Sequence, residues 1–557
     1  MSNLRLWPGV AIVAVQWLLR FVVPRVAPEW TVYAIIGSVL CIFLVWGWWL
    51  FFSRAPWLDR IGAIVVTVLA MSLTRLILDP SISTAMMGAM FPIYATPLIS
   101  LALVAWAALG ARRVWLVPLM AAVCGAFALV RTDGIIGDTG SEFHWRWTPT
   151  AEEKLLLSMP ATPVVAEVAV PGQAPEIVAD WPGFRGPARD GVVRGLRISS
   201  DWRPSIIWRK PIGPGWGSFA AGGGLIFTQE QRGEFEFVSC YRLSDGAPVW
   251  AHKDKTRFWE SNGGAGPRGT PLLQGDRVYA LGANGNLNAL RARDGGVIWT
   301  RNAATDTGAK IPGWGFSSSP ILVDGVLVIA LSGRLVGYDA ATGEKKWLTP
   351  TGAGSYASPH LFGKNVTFLS GSGATSVSPV DGKILWKHDW QGAETAYLQP
   401  VLLNDGGYLV TRADSGGGVG MRRIAAPVNG KADERWTSRG LKPYFSDFVL
   451  HKGHVYGFDG TILSCIDLTD GARKWKGGRF GNGQMLLLAD QDLLLIISED
   501  GELALVSAKP DQFTEVARFP VLNDKTWNHP AISGGRLLLR NGVEMVGLQL
   551  GTINDGK

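Results

Sequence analysis

The chain has 557 residues, 47% of them hydrophobic and 18% charged, with a formal net charge of +7. That length implies more than one domain, and the apolar excess excludes a disordered chain and argues against an ordinary soluble one. The charge is unevenly placed: residues 1–132 hold nine arginines, no lysine and three acids (Glu29, Asp59, Asp79), a net +6, which leaves +1 for the other 425 residues. A nucleic-acid partner, which would need a basic face on the C-terminal part, is thereby disfavoured.

Apolar runs at 31–52, 61–78, 91–110 and 114–130, and a weaker one at 8–23 containing Gln16 and Arg20, predict a polytopic transmembrane domain over 1–132 with four to five helices. Arg54 and Arg60 lie in the loop 53–60, Arg112 and Arg113 in the loop 111–113, and the loop 79–90 has no basic residue. The positive-inside bias therefore puts the first two loops in the cytoplasm and everything after 131 outside. Trp46, Trp48, Trp49 and Trp57 flank the first cytoplasmic loop, as an interfacial belt would. Arg75 and Asp79, one turn apart, either pair with each other or form an intramembrane electron-transfer site.

Residues 133–180 read as a linker. Thr150-Ala-Glu-Glu153 is a capping box opening a short helix. Pro160, Pro163, Pro171 and Pro175 make the following stretch an extended spacer.

From 181 to 557 the chain repeats itself. The clearest unit runs SSPILVDGVLVIALSGRLVGYDAATGEKKW and ends at Trp347. Related endings fall at Trp250, Trp299, Trp386, Trp436 and Trp475, with a Phe version at Phe519, and a last unit lacks its fourth strand. Spacings of this size, with four short strands and an Asp-Gly or Thr-Gly turn per unit, predict an eight-bladed β-propeller of four-stranded antiparallel blades. The strand Ser205–Arg209 can complete the eighth blade and close the ring. Cys240 and Cys465 occupy equivalent places in distant repeats, too far apart for a disulfide.

The unit DAATGEKKW at 339–347 resembles the PQQ-repeat (pyrroloquinoline quinone) propeller motif, and WPGFRGPARDG at 181–191 resembles the lead-in stretch of bacterial PQQ-like propellers. The resemblance covers roughly 181–550 and implies the fold shared by quinoprotein dehydrogenases and by the propeller lipoprotein of outer-membrane assembly. The membrane-helix layout is similar to that of membrane-bound quinoprotein glucose dehydrogenase. In a bacterium the implied location is the inner (cytoplasmic) membrane, multi-pass, with the propeller on the periplasmic side.

Ligands of propellers usually meet the face bearing the loops that join one blade's outer strand to the next blade's inner strand. Read off the repeat, those loops offer Trp216, Trp259, Trp314, Tyr356, Tyr444 and Trp527 around the channel mouth. They also offer the polar groups Glu260, Asn262, Arg268, Lys310, Lys442, Asp447, Arg479, Asn528 and His529. Two functions stay open. One is a membrane-anchored periplasmic module that binds a cell-envelope protein or small ligand, with no cofactor. The other is a PQQ-dependent membrane-bound dehydrogenase of alcohols or sugars feeding electrons to membrane quinone, with Glu260 and Asn262 on Ca²⁺, Asp447 as general base and Arg268 on a cofactor carboxylate. Oligomeric state is not legible.

Overall fold

The computed structural model of the protein describes residues 4–27, 30–137, 140–158, 176–199, 201–390, 392, 395–414 and 417–551. The spacer prolines 160, 163, 171 and 175 fall outside the described residues. Two compact units are formed: Met1–Pro149 with Glu260–Gly264, and Thr150–Trp259 with Ala265–Lys557.

In the first unit α1 (Trp7–Val26), α2 (Thr31–Phe52), α3 (Trp57–Arg75) and α4 (Met90–Ala108) are each long and apolar enough to cross a membrane, and α5 (Arg113–Leu129) is shorter. The polar residue that weakens the first apolar run has a partner inside the bundle. Gln16 Nε2 donates to Ser38 O at 2.8 Å and Ser38 Oγ donates to Gln16 O at 3.2 Å, which links α1 to α2. Loop alternation is visible in the pairing. Arg113 pairs with Asp59, joining the two arginine-bearing loops at one end. At the other end Thr132 N donates to Ser81 Oγ at 3.0 Å and Arg146 Nη1 to Ile77 O at 3.2 Å.

Two expectations change here. Trp48 and Trp49 are buried core residues, not a surface belt: their indoles donate to Arg5 O (2.8 Å) and Asp59 O (3.3 Å). Asp79 does not pair with Arg75. It accepts from Ser81 N at 2.9 Å, capping the turn Pro80–Ser83, and faces Arg146 Nε at 3.5 Å.

The second unit opens with α6 (Ala151–Ser158), whose capping box is closed in both directions: Thr150 N donates to Glu153 Oε2 at 2.7 Å and Glu153 N to Thr150 Oγ1 at 3.1 Å. Glu152 ties this helix to the propeller, accepting from Arg257 Nη1 and Nη2 at 2.7 and 2.8 Å and from Gly233 N at 2.8 Å. The propeller has eight antiparallel blades. The eighth is Ala531–Ser533, Arg536–Arg540, Glu544–Gln549 and the N-terminal strand Ser205–Pro211, so the ring is closed as the repeat implies.

The repeat's two signature residues need each other. In blades one to four and six the Trp faces a small residue across the strand pair: Cys240 for Trp250, Ala289 for Trp299, Gly337 for Trp347, Ser376 for Trp386, Cys465 for Trp475; in blade five Trp436 faces Arg423 instead. The cysteines therefore serve as small buried groups, and both are free. Towards the next blade the indole N–H donates to the carbonyl opening that blade's turn. Trp208 donates to Leu243 O, Trp250 to Ala292 O, Trp299 to Ala340 O, Trp347 to Pro379 O, Trp436 to Leu468 O and Trp475 to Lys509 O, at 2.8–3.1 Å. The turn glycine lies flat against that ring: at Gly343 (φ +72) a Cβ would stand 2.6 Å from Trp299. Glycine is thus required twice, by backbone angle and by contact.

Blade seven breaks the pattern. Its register pairs Leu505 with Ala517, so the tryptophan position holds Ala517, and Phe519 lies two residues beyond it. The indole comes instead from Trp202 in the lead-in chain, which donates to Gln549 O at 3.0 Å and meets Phe519 edge-on at 6.4 Å.

Candidate functional site

The lead-in chain crosses the axis of the ring. Ala179–Trp181 pairs with the innermost strand of blade one and Val192–Val193 runs parallel to the innermost strand of blade seven. Between them the motif arginines enter the channel. Arg185 (φ 61) is 2% exposed and donates to Asp190 O (3.0 Å) and Phe448 O (2.6 Å). Its Nη1 faces Asp447 Oδ1 at 3.1 Å, and Asp447 Oδ2 meets His529 Nε2 at 2.6 Å. Burial alone would push the Asp447 carboxyl up; Arg185 and His529 outweigh it and hold the group below the usual carboxylate range. Arg189 (φ 53) donates to Ser319 O, Pro320 O and Pro359 O at 3.1–3.3 Å. Desolvation, with Arg185 beside it, brings Arg189 down to about 9. His360 is buried nearby and lowered to about 4, by burial first and then by Arg189. The two arginines and Asp447 thus tie blades three, four, six and eight to one strap. A buried charge set of this kind is tolerable only with each member partnered.

Among the inter-blade loops, aromatic rings form an unbroken series. Trp216 meets Trp527 at 4.8 Å, Trp527 meets Phe445 at 5.2 Å, and Phe445 meets Tyr444 at 5.1 Å. Tyr444 meets Tyr397 at 4.7 Å, Tyr397 lies nearly parallel to Tyr356 at 5.3 Å, and Tyr356 meets Trp314 at 5.3 Å. All seven are half-buried. Lys525, itself buried, sits 4.5 Å over the Trp527 ring. Asn528 holds two of the loops together by donating to Gly215 O (3.0 Å) and Gly217 O (2.8 Å).

Of the residues expected at the mouth, Trp216, Trp314, Tyr356, Tyr444 and Trp527 are in this crown, and Asn528, His529 and Asp447 support it. Arg268 is adjacent, its Nε donating to Trp314 O at 3.2 Å and its guanidinium lying over Phe258. Lys442 faces Asp459 (3.4 Å) and Arg479 donates to Thr461 Oγ1 (2.8 Å), while Lys310 and Trp259 are exposed. Glu260 and Asn262 belong to the N-terminal unit, where the Glu260 carboxylate accepts from the backbone of Asn262 (2.8 Å) and Gly263 (2.6 Å). Sequence reading missed Tyr397 and Phe445. Tyr397 was traceable: Pro400 repeats the proline placed before the first strand of a blade at Pro271, Pro320, Pro359 and Pro530 and so marks the loop 390–400 as one of the set. It also missed that Arg185 and Arg189 fill the channel.

A family model described as outer membrane protein assembly factor BamB matches residues 201–360 and 283–513. The chain belongs to this PQQ-like β-propeller family. The assembly factor BamB of Yersinia pestis is 25% identical over 333 residues, 56% of this chain and 72% of that protein. Its counterpart in Shewanella oneidensis is 29% identical over 174 residues, 28% of this chain and 41% of that one. Among solved structures, a quinohemoprotein alcohol dehydrogenase from Pseudomonas putida HK5 superposes with a TM-score of 0.52 at 13% identity, over 68% of this chain and 81% of that one, a likeness of fold alone.

The PQQ-like fold raises the question of a quinone with Ca²⁺. Calcium takes six to eight oxygen ligands, and among the described residues no group of three or more His, Cys, Asp or Glu is placed to hold a metal. Asp447, with its two oxygens turned to Arg185 and His529, is engaged within the axial cluster, and the crown rings pack on one another at contact distance.

Proposed function

We propose that the protein is a membrane-tethered PQQ-like propeller that binds a cell-envelope protein through its aromatic crown. The N-terminal helices sit in the cytoplasmic membrane and the propeller works on the periplasmic side. One observation carries the reading: seven contiguous half-buried rings lie on a channel already filled by Arg185, Arg189 and His529. That gives a broad aromatic face of the kind proteins use as interface anchors. The family's assembly-factor relatives support a protein partner. The dehydrogenase reading has only the fold in its favour.

The test is site-specific photo-crosslinking of the full chain in cells. A benzophenone amino acid at Tyr356 is expected to give discrete adducts with envelope proteins. At Val428, 69% exposed in a turn of blade five, it is expected to give none. Equal yields from both sites would sink the proposal. Saturable PQQ binding with dye-linked turnover would favour the dehydrogenase. An exported-only reporter fused after Arg131 must be active, or the localisation is wrong.

A further inference from the structure

The end of α3 carries a cation, Arg75, that no carboxylate among the described residues pairs with. Asp79, four residues on from Arg75, is engaged by Ser81 N and Arg146. Arg75 lines, with Met71, Ser72, Ser83, Gly88 and Phe91, a cavity of about 200 Å³. Gly88 (φ +83) makes room for the guanidinium: a Cβ there would stand 2.8 Å from Arg75 Nη2. Met86 and Met87, which precede Gly88 in the chain, are left-handed at φ 52 and 57, a conformation that persists in non-glycine residues only where the surroundings hold it. Met86 N donates to Asn262 Oδ1 at 3.3 Å within this unit.

The depth of the cavity in a bilayer is marked by aromatics. Phe143, Trp145 and Trp147 alternate along the chain just after the last apolar helix. Trp145 and Trp147 stack at 5.2 Å, Phe143 meets Tyr94 edge-on at 5.0 Å, and Arg146 between them reaches Ile77 O and Asp79. The aromatics thus attach at the same end of the helices as Arg75. Aromatic side chains of this kind collect at headgroup level, where a guanidinium meets lipid phosphate and not hydrocarbon.

We propose that this cavity binds the phosphodiester of a phospholipid. Arg75 supplies the charge, the Ser72 and Ser83 hydroxyls supply further donors, and Met71 and Phe91 flank the start of an acyl chain. The pairing is the charge-assisted kind a guanidinium makes with phosphate.

The full chain is delipidated in detergent, phosphatidylglycerol is added back, and bound lipid is counted by native mass spectrometry. Wild type is expected to retain one phospholipid, which Arg75→Gln holds about fivefold less tightly. Ser72→Val, on the exposed rim, is expected to weaken retention independently, and Arg75→Lys to restore most of it. Retention unchanged in both Arg75→Gln and Ser72→Val overturns the proposal. Displacement of the lipid by millimolar inorganic phosphate also overturns it, because the site would then belong to a free anion.

Discussion

In the helical unit many large apolar side chains face outward: Trp7, Tyr33, Phe51 and Leu73 are each more than 60% exposed. In the propeller Phe227, Phe368 and Phe458 are fully buried between blades. Buried polar groups differ as well. The helices hold a neutral pair, Gln16 with Ser38, whereas the ring holds a charged set, Arg185 with Asp447 and His529. The contrast shows two ways of completing a core. The helices leave an outward apolar surface, on elements long and apolar enough to cross a membrane, while each blade buries its face against its neighbour and the axis is closed by a strap of the chain itself. Stability is therefore shared around the ring by the Trp-to-turn contacts, and at the axis it rests on one ion-paired cluster.

The sharpest way to break this contrast is to remove one member of the axial cluster. Arg185→Met leaves Asp447 buried without its cation, and the expected loss is ~3–5 kcal/mol. Thermal unfolding of the full chain should show the β signal melting earlier with the helical signal unmoved. A concerted shift of both would mean that the two units do not unfold separately. Next is a pair of tryptophan truncations. Trp299→Ala opens a blade interface and is expected to cost ~3–5 kcal/mol, whereas Trp57→Ala, on an outward face, should stay within about 0.5 kcal/mol. Similar losses at both sites would erase the distinction.

A further effect is in pH. His360 is buried as the neutral ring, lowered from 6.5 to about 4, so the unfolded chain takes up its proton first. The stability it contributes is present above pH 6.5 and falls away between about pH 6.5 and 4, by about 3 kcal/mol in all. His360→Gln should flatten the pH dependence of propeller melting in that window. An unchanged slope would assign it to other groups.

Much of the architecture was legible in the chain because its signals are local. A hydrophobic run as long as a bilayer is thick, a Gly turn followed by Trp at regular spacing, and a spare strand at Ser205 each specify their structure within a few residues. The crown was half legible: once the repeat was aligned, its loops followed, and Trp216, Trp314, Tyr356, Tyr444 and Trp527 came with them. The exceptions lay where the repeat falters. Phe519 looked like a worn tryptophan, but the strand register gives that place to Ala517 and the indole to Trp202, from far earlier in the chain.

The sequence by itself determined the helices, the blade count, the closing strand and the uneven charge, since composition and periodicity act between near neighbours. Only the tertiary structure decided what the lone motifs do. WPGFRGPARDG became an axial strap because Arg185 and Arg189 meet carbonyls more than 100 residues away. Asp447 became their counter-ion, and Asp79 turned to Arg146, leaving Arg75 to face the cavity. Charges choose partners by distance in space, and no spacing along the chain records that distance.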